Sequence, residues 1–411
     1  FIMIDIFLFF VVGLYILLKI ALDIHQIQYI KTTKISNDEL DLFSIDSNYI
    51  KKSISYNTDK LSASIVNTLI SGMIIIYFVF FGGVDDLSKL MSGLNLFQLN
   101  DDLLIIIAFI IIMSLVNIPL DIYKTFYIEE KHGFNKNNIN QYLKDTFISL
   151  ILTLLIVFVL FSIFHALFQE YPESWWLYMW FAYISFNVIV LFAYPTIIAP
   201  MFNDFKKLSD KKIINIIKTL SDKTKFNITD VYVMDGSKRS KHSNAYFTGF
   251  YKSKRIVFFD TLLEILTPNE VQAVLAHEIG HYKKNHITKS IILSLFLSLA
   301  GLYILFQLST YAPLFIALDI NPYSTSELVI FFSLVLSPIL YFLSPVFSSI
   351  SRKNEFEADN YAKEHSDKSY LISSLKKLYR ENLTLIKTSP IYSQIYNSHP
   401  TVFERINNLK L

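Results

Sequence analysis

Seven long runs of apolar residues alternate with polar segments along this chain of 411 residues. Each run is close to the length of about 20 residues with which a helix crosses the hydrocarbon core of a bilayer. Runs this long and this uniformly apolar are typical of membrane spans and not of buried helices in soluble proteins. The predicted spans are residues 3–23, 65–84, 103–122, 147–168, 175–195, 287–306 and 328–347.

Positive charge is distributed unevenly among the segments between these spans. The segments after spans one, three, five and seven contain five, four, fifteen and ten Lys or Arg residues, whereas those after spans two, four and six contain one, none and none. Basic segments of membrane proteins face the cytoplasm. The pattern therefore predicts an outward N-terminus and a cytoplasmic position for the two long polar segments, 201–286 and 348–411.

Composition supports a membrane protein and excludes other classes. Hydrophobic residues make up 53% of the chain and charged residues only 18%, against about 25% charged in soluble domains. The net charge of +2 excludes the strongly basic field of a nucleic-acid-binding protein. The chain has no cysteine, which excludes disulfides, Cys-ligated zinc and thiol catalysis.

The two long polar segments are large enough to fold outside the lipid. In the first, the pattern predicts a helix over 206–223, strands at 231–234, 244–250 and 255–259, and a turn at 251–254 between the last two strands. A helix over 267–284 follows, because Thr267-Pro268-Asn269-Glu270 is a good start signal. The segment 348–411 is predicted to be mostly helical.

The helix over 267–284 contains the pattern His277, Glu278 and His281. Residues four apart lie on one face of a helix, so both imidazoles can reach one zinc ion at about 2.0–2.1 Å. Glu278 is rotated by one residue and is positioned instead to polarise a metal-bound water molecule and carry its proton. The alternative is a solvated helix with two unrelated histidines.

A catalytic zinc ion needs a third protein ligand. His286 is the nearest candidate, but a metzincin would have a third His where Ile287 stands. Glu355 and Asp359 are better candidates, since they are again four apart on one predicted helical face. One carboxylate can bind the metal while the other hydrogen-bonds a ligating imidazole. The alternative for these two acids is a solvated helical face.

Further sequence blocks occur in the order in which they occur in a known family. They are FYIEEKHGFNK at 126–136, IAPMFN at 198–203, SKHSNAYF at 240–247 with RIV at 255–257, and His399-Pro400 with Arg405. Together with the seven predicted spans, these blocks resemble the integral-membrane CAAX prenyl proteases of type 1. The resemblance covers most of the chain.

For the metal site, the resemblance implies a role for each matching residue. His277, His281 and Glu355 would bind one zinc ion. Glu278 would be the general base, and Asp359 would orient a ligand.

For the substrate, the resemblance implies two further groups. His399 and Arg405 would lie over the metal and help to hold the substrate carbonyl and the developing oxyanion. Asn244, Ala245 and Tyr246 would form an edge strand that pairs with an extended substrate.

The resemblance and the patterns together imply a mainly α polytopic membrane protein. Its seven transmembrane helices would enclose a chamber, and a zincin-like α+β domain with a small edge-stranded sheet would face the cytoplasm. The predicted boundaries are 1–200 for spans one to five, 201–286 for the catalytic domain, 287–347 for spans six and seven, and 348–411 for the helical part with the third ligand.

The predicted function is a membrane-embedded zinc endopeptidase that cleaves CAAX-type, prenylated or other membrane-associated peptides. The chain's length and its C-terminal residues, which match neither a retrieval signal nor a dibasic tail, favour a bacterial homologue in the inner membrane. A eukaryotic homologue would lie in the endoplasmic reticulum membrane.

Two alternatives remain open at this point. One is the heat-shock-type membrane metalloprotease HtpX, which shares the zinc motif but is shorter, has fewer spans and lacks the block at 129–136. The other is a non-proteolytic membrane insertion or translocon-clearing factor with structural zinc. Structural sites fill all four positions with protein ligands, and the residues indicated here supply three.

Overall fold

The fold is known from a computed structural model, which describes residues 2–43, 45–92, 100–248 and 255–411. Helices dominate these residues. In chain order they are α1 (Ile2–Thr32), α2 (Asn37–Phe43), α3 (Ser47–Phe80), α4 (Gly83–Ser92), α5 (Asp101–Tyr123), α6 (Ile139–Glu170), α7 (Trp175–Ala193), α8 (Ala199–Phe202), α9 (Lys211–Thr224), α10 (Asp260–Ile265), α11 (Pro268–Lys283), α12 (His286–Ser309), α13 (Ala312–Ala317), α14 (Thr325–His365), α15 (Lys368–Glu381), α16 (Pro390–Tyr396) and α17 (Val402–Lys410).

Seven of these helices, namely α1, α3, α5, α6, α7, α12 and α14, are long and apolar enough to cross a membrane. They coincide with the seven predicted spans, so that prediction is confirmed. The most apolar stretches of α7 and α12 have no buried residue. Apolar surface of this extent needs lipid around it, because water would penalise its exposure.

The seventh span continues far beyond the length that the bilayer requires. Helix α14 has 41 residues, which corresponds to about 60 Å at 1.5 Å per residue. The hydrocarbon core is only about 30 Å thick. The C-terminal part of α14, with Glu355 and Asp359, therefore extends out of the apolar zone as a direct continuation of the span.

A four-stranded mixed sheet lies in the polar part of the molecule. Its strands are β1 (Phe205–Lys207), β2 (Asp230–Met234), β3 (Ala245–Thr248) and β4 (Arg255–Phe259), in the spatial order β1-β2-β4-β3. The β2–β4 pair is parallel, and the β1–β2 and β3–β4 pairs are antiparallel. Strand β3 is therefore an edge strand with one neighbour within the sheet.

The three predicted strands are confirmed as β2, β3 and β4, with β3 described as far as residue 248. The turn predicted at 251–254 lies outside the described residues. The predicted helix at 206–223 was wrong at its start, because residues 205–207 form β1 and α9 begins only at Lys211. Asp210 causes this late start, since its carboxylate accepts from the backbone N–H groups of Lys212 and Ile213.

Helix α11 is the centre of a core built around the sheet. Val271, Leu275 and Ile279 on this helix are at most 1% exposed. They belong to one buried cluster with Phe258 of β4 and Ile406 of α17. Side chains from both long polar segments thus contribute to one hydrophobic core, although two membrane spans separate them in the sequence.

Helices α11 and α14 approach each other closely at Gly280. A Cβ atom at this position would lie 3.0 Å from both the Cα and the carbonyl oxygen of Ala358, and 3.1 Å from Cβ of Tyr361. Two of these neighbours are backbone atoms, which cannot rotate away as a flexible side chain could. The absence of a side chain at Gly280 is therefore what allows the two backbones to touch.

We expect Gly280→Ala to lower the thermal unfolding midpoint in detergent, because overpacking typically costs about 1–3 kcal/mol. Gly301→Ala in α12 is the matched control, since a Cβ there meets nothing within 4 Å. Alanine favours a helix over glycine by about 1 kcal/mol, so the control should be unchanged or slightly stabilised. Equal midpoints for the two variants would contradict this account of the helix contact.

Candidate metal centre

The start of α11 is determined by local side-chain hydrogen bonds. Thr267 and Glu270 form a capping box, in which each side chain accepts from the other's backbone N–H, and Pro268 occupies the first turn. The start of the helix fixes which residues face the same side further along. His277 and His281 lie one turn apart, with their imidazole ring centroids 4.9 Å from each other.

Three potential ligand atoms converge between α11 and α14. Nε2 of His277 lies 3.2 Å from Nε2 of His281. Glu355 contributes a carboxylate whose Oε1 lies 3.2 Å from Nε2 of His281 and whose Oε2 lies 3.5 Å from Nε2 of His277. His277 and Glu355 are buried, and His281 is partly exposed.

These distances fit a metal ion at the centre of the group. Bonds of about 2.0–2.2 Å in tetrahedral geometry separate neighbouring ligand atoms by about 3.3–3.6 Å, which is close to the distance between the two imidazole nitrogens and to the distance from each nitrogen to one oxygen of Glu355. Within the described part of the chain, this is the one group of three His, Asp or Glu residues whose ligand atoms meet so closely. A three-ligand set is typical of catalytic sites, which keep the fourth position for water or substrate.

Asp359 supports His277 from behind. Nδ1 of His277 lies 2.9 Å from Oδ1 of Asp359, so an N–H donated there leaves the lone pair of Nε2 directed at the metal position. Asp359 is fully buried and accepts from Nε of Arg405 at 2.9 Å and from its Nη2 at 2.6 Å. This paired interaction satisfies a charge that would be costly to bury alone.

The centre favours positive charge. Burial and the nearby Arg405 would lower the pKa of His277, but its contacts with Asp359 and Glu355 outweigh them and raise that pKa to about 9. Burial would also lower the pKa of Arg405, but hydrogen bonds to Asp359 raise it, so the guanidinium stays charged. Two buried carboxylates thus create a site where a proton or a metal ion is stabilised.

His281 also contacts a further histidine, His286, on the side away from His277. The sequence analysis did not identify this contact. Nδ1 of His286 is 3.1 Å from Nδ1 of His281, and Nε2 of His286 is 3.1 Å from Oε2 of Glu357. Asn285, in the left-handed conformation with φ of 58°, turns the chain from α11 into α12 and brings His286 back under α11. His286, the nearest candidate ligand in sequence, therefore contacts a ligand and is not itself part of the three-residue group.

His399 and Arg405 approach the same carboxylate from the C-terminal segment. Nδ1 of His399 lies 3.0 Å from Oε2 of Glu355, and Nη1 of Arg405 lies 3.4 Å from the same oxygen. Their environments differ: the His399 side chain is 61% exposed, whereas that of Arg405 is 9% exposed. His399 is therefore accessible from the cavity, and Arg405 is mainly occupied by the two buried acids.

The three-residue group opens into a cavity of about 930 Å³. Glu278 lines this cavity together with the two histidines. The edge strand β3 and the residue before it form another wall, through Asn244, Ala245 and Tyr246. The site residues indicated by the sequence thus line one cavity, apart from Asp359, which lies directly behind His277.

The remaining part of the cavity is mainly apolar and lies between two membrane spans. Its wall contains residues of α7 and α12, which are mainly apolar or aromatic (Tyr183, Ile184, Val188, Leu191, Ile287, Ile291 and Leu295), with Asn187, Ser290 and Ser294 as polar members. The cavity therefore connects the polar metal group with the membrane-spanning region.

Comparison with known proteins gives consistent matches along the chain. Residues 26–204 match the family model described as CAAX prenyl protease N-terminal, five membrane helices, and residues 207–411 match peptidase family M48. CAAX prenyl protease 1 of Saccharomyces cerevisiae is 37% identical over 72% of this chain and 69% of its own. Its homolog in Arabidopsis thaliana is 33% identical over 96% of both chains.

The solved structures agree with the sequence matches. The crystal structure of Ste24p from S. mikatae superposes with a TM-score of 0.89 at 29% identity, and the match covers 98% of both chains. Membership of a peptidase family favours an enzyme over a non-proteolytic factor with structural zinc. The resemblance inferred from the sequence blocks is confirmed: the chain belongs to peptidase family M48, as a membrane-embedded metalloendopeptidase of the CAAX prenyl protease 1 type.

Proposed function

We propose that this protein is a zinc-dependent endopeptidase that cleaves prenylated CAAX-type substrates at the membrane surface. The observation that carries the proposal is the convergence of His277, His281 and Glu355 beside Glu278 in one cavity. Two imidazoles and one carboxylate suit zinc, which accepts nitrogen and oxygen ligands in a tetrahedral arrangement. The names of the relatives support the substrate class.

When bound, zinc would act as a Lewis acid and lower the pKa of a coordinated water molecule. Glu278 would accept the proton that this water loses and pass it to the leaving amine, since its carboxylate lies beside the ligands and is not one of them. His399, exposed to the cavity, would donate to the substrate carbonyl oxygen as negative charge develops there. Arg405 would assist from a deeper position and hold Asp359 against His277.

Strand β3 would bind the substrate backbone. Among the described residues β3 has one strand neighbour, and its residues line the cavity; an extended peptide can add to such an edge strand through main-chain hydrogen bonds. Asn244, Ala245 and Tyr246 would then align the substrate along the sheet, with the scissile carbonyl near the metal. This mode of binding depends little on substrate side chains, because the backbone supplies the hydrogen bonds.

The apolar wall between α7 and α12 would receive the lipid of a prenylated substrate. A prenyl group is a branched hydrocarbon, and burying it gains about 25 cal/mol per Å² of apolar surface. The wall leads from the metal group towards the membrane-spanning region. A lipid anchored there could hold the peptide at the cleavage site.

We also propose that the sheet, α11 and the C-terminal segment form one catalytic unit on the cytoplasmic side. The shared hydrophobic core supports the unit. The excess of Lys and Arg in the segments at this end supports the orientation. The same orientation would hold in a bacterial inner membrane and in the endoplasmic reticulum.

Glu278→Gln should reduce the rate of peptide cleavage by a factor of about 10² or more, because the amide cannot accept the proton. Zinc content, measured by mass spectrometry on purified protein, should remain near one ion per chain, since Glu278 is not a ligand. Glu264→Gln, at an exposed position of α10, is the matched control and should retain activity. Full activity in clean Glu278→Gln protein would overturn the proposed mechanism.

Asp359→Asn should weaken zinc binding by about 10–100-fold, the usual effect of losing a carboxylate behind a ligating imidazole. Competition with a chromophoric chelator measures the affinity directly. Asp222→Asn, at an exposed site on α9, controls for the change of one charge. A zinc affinity equal to that of the unmodified protein would show that Asp359 does not orient His277.

A farnesylated CAAX peptide should be cleaved with a kcat/KM at least about tenfold higher than its unprenylated counterpart, because the apolar wall contributes binding energy only to the lipid. The two rates are measured in the same detergent or bilayer preparation. Equal rates would show a general membrane peptidase and would reject lipid recognition. Cleavage of neither peptide would reject the proposed substrate class.

A further inference from the structure

A second cavity, of about 620 Å³, adjoins the metal group. Its wall shares Leu375, Leu378, His399 and Arg405 with the first cavity. The two cavities therefore border the same four side chains, of which His399 and Arg405 contact Glu355. A peptide bound across the metal group in the first cavity would have to pass His399 to reach the second.

Among the described residues that line the second cavity, none carries a carboxylate. Its polar groups are amides, hydroxyls and imidazole, together with the cations Lys60 and Arg405. Arg405 is already neutralised by Asp359, so that Lys60 is the available cation among the described residues of this wall. Tyr379 contributes a hydroxyl, and burial raises its pKa to about 12, so it remains a neutral donor.

Lys60 is exposed, and among the described residues no carboxylate lies within ion-pair distance of it. Its Nζ lies 4.9 Å from the ring centroid of Tyr56. The carboxylate of Glu129 interacts electrostatically with Lys60 but has other direct partners. It accepts a hydrogen bond from the hydroxyl of Tyr56 at 2.8 Å and lies 3.3 Å from Nε2 of His242. Lys60 thus retains the capacity to bind an anion that enters the cavity.

The substrate class supplies such an anion at a defined distance. A CAAX sequence is C-terminal, so a free carboxylate lies three residues beyond its prenylated cysteine. Three extended residues span about 10 Å. A carboxylate that leaves water at this point needs a partner, because burying an unpaired charge is costly.

We propose that the second cavity is a binding site for the C-terminal carboxylate of the substrate, with Lys60 as its cationic partner. The neutral donors of the wall, among them Asn57 and Asn382, would complete the hydrogen bonds of the carboxylate. The site would select peptides that end close to the cleaved bond and would hold the released C-terminal fragment until it leaves. This inference rests on the proposed function, since it assumes cleavage near a free C-terminus.

The test compares two farnesylated CAAX peptides that differ only in ending with a carboxylate or a carboxamide. For the unmodified protein, kcat/KM for the peptide with the carboxylate should be about 10 times that for the peptide with the carboxamide, because only the carboxylate can form a charge-assisted contact with Lys60. Lys60→Gln should reduce this ratio to about 1, and Lys60→Arg should largely restore it. Lys52→Gln, an exposed position on the same helix outside the cavity, should keep the ratio at about 10.

A second measurement does not depend on turnover. Binding of the free C-terminal tripeptide to the zinc-loaded Glu278→Gln protein, measured by calorimetry, should weaken about tenfold when Lys60→Gln is added. Cleavage of both peptides at equal rates by the unmodified protein would overturn the inference and leave the proposed function intact. A ratio that survives Lys60→Gln would also overturn it, whereas cleavage of neither peptide would reject the proposed function itself.

Discussion

The metal group depends on the close contact between α11 and α14 at Gly280. This contact lets the two helix backbones meet at Ala358, one helical turn from the carboxylate of Glu355. If the helices were further apart by the width of one methyl group, the imidazoles and the carboxylate could no longer lie about 3.3 Å from each other. The glycine inside the histidine motif therefore has a structural role as specific as the chemical role of the histidines.

Buried charge makes this arrangement cooperative. Asp359 on α14 is fully buried and bonded to Arg405 on α17 and to His277 on α11. Removing Asp359 or Arg405 would leave an uncompensated charge in the interior, which costs several kcal/mol. The C-terminal helix is therefore coupled to the metal ligands by the same interaction that orients them, and its docking and the formation of the centre should occur together.

Sequence reasoning succeeded where the information is local. Helical spacing was sufficient to put His277 and His281 on one face, and the capping residues indicated where that helix begins. It was less successful where partners are distant in sequence: the strand order, the short strand β1 and the contact of His286 with Glu357 depend on tertiary packing. The sequence motif does not show that His286 lies behind a ligand, because the left-handed turn at Asn285 reverses its position.

The distance between the metal group and the bilayer is determined by helices that continue directly from, or into, membrane spans. Glu355 follows the end of the predicted seventh span by about eight residues on the unbroken helix α14, which corresponds to about 12 Å. His281 is separated from α12, the sixth span, by only a short turn. Both ligand-bearing elements are thus directly joined to spans, and the centre cannot move far from the membrane surface. A peptide anchored by a lipid stays within the same distance of that surface, so the helices that cross the membrane also bring the reacting groups to the height at which such a substrate is held.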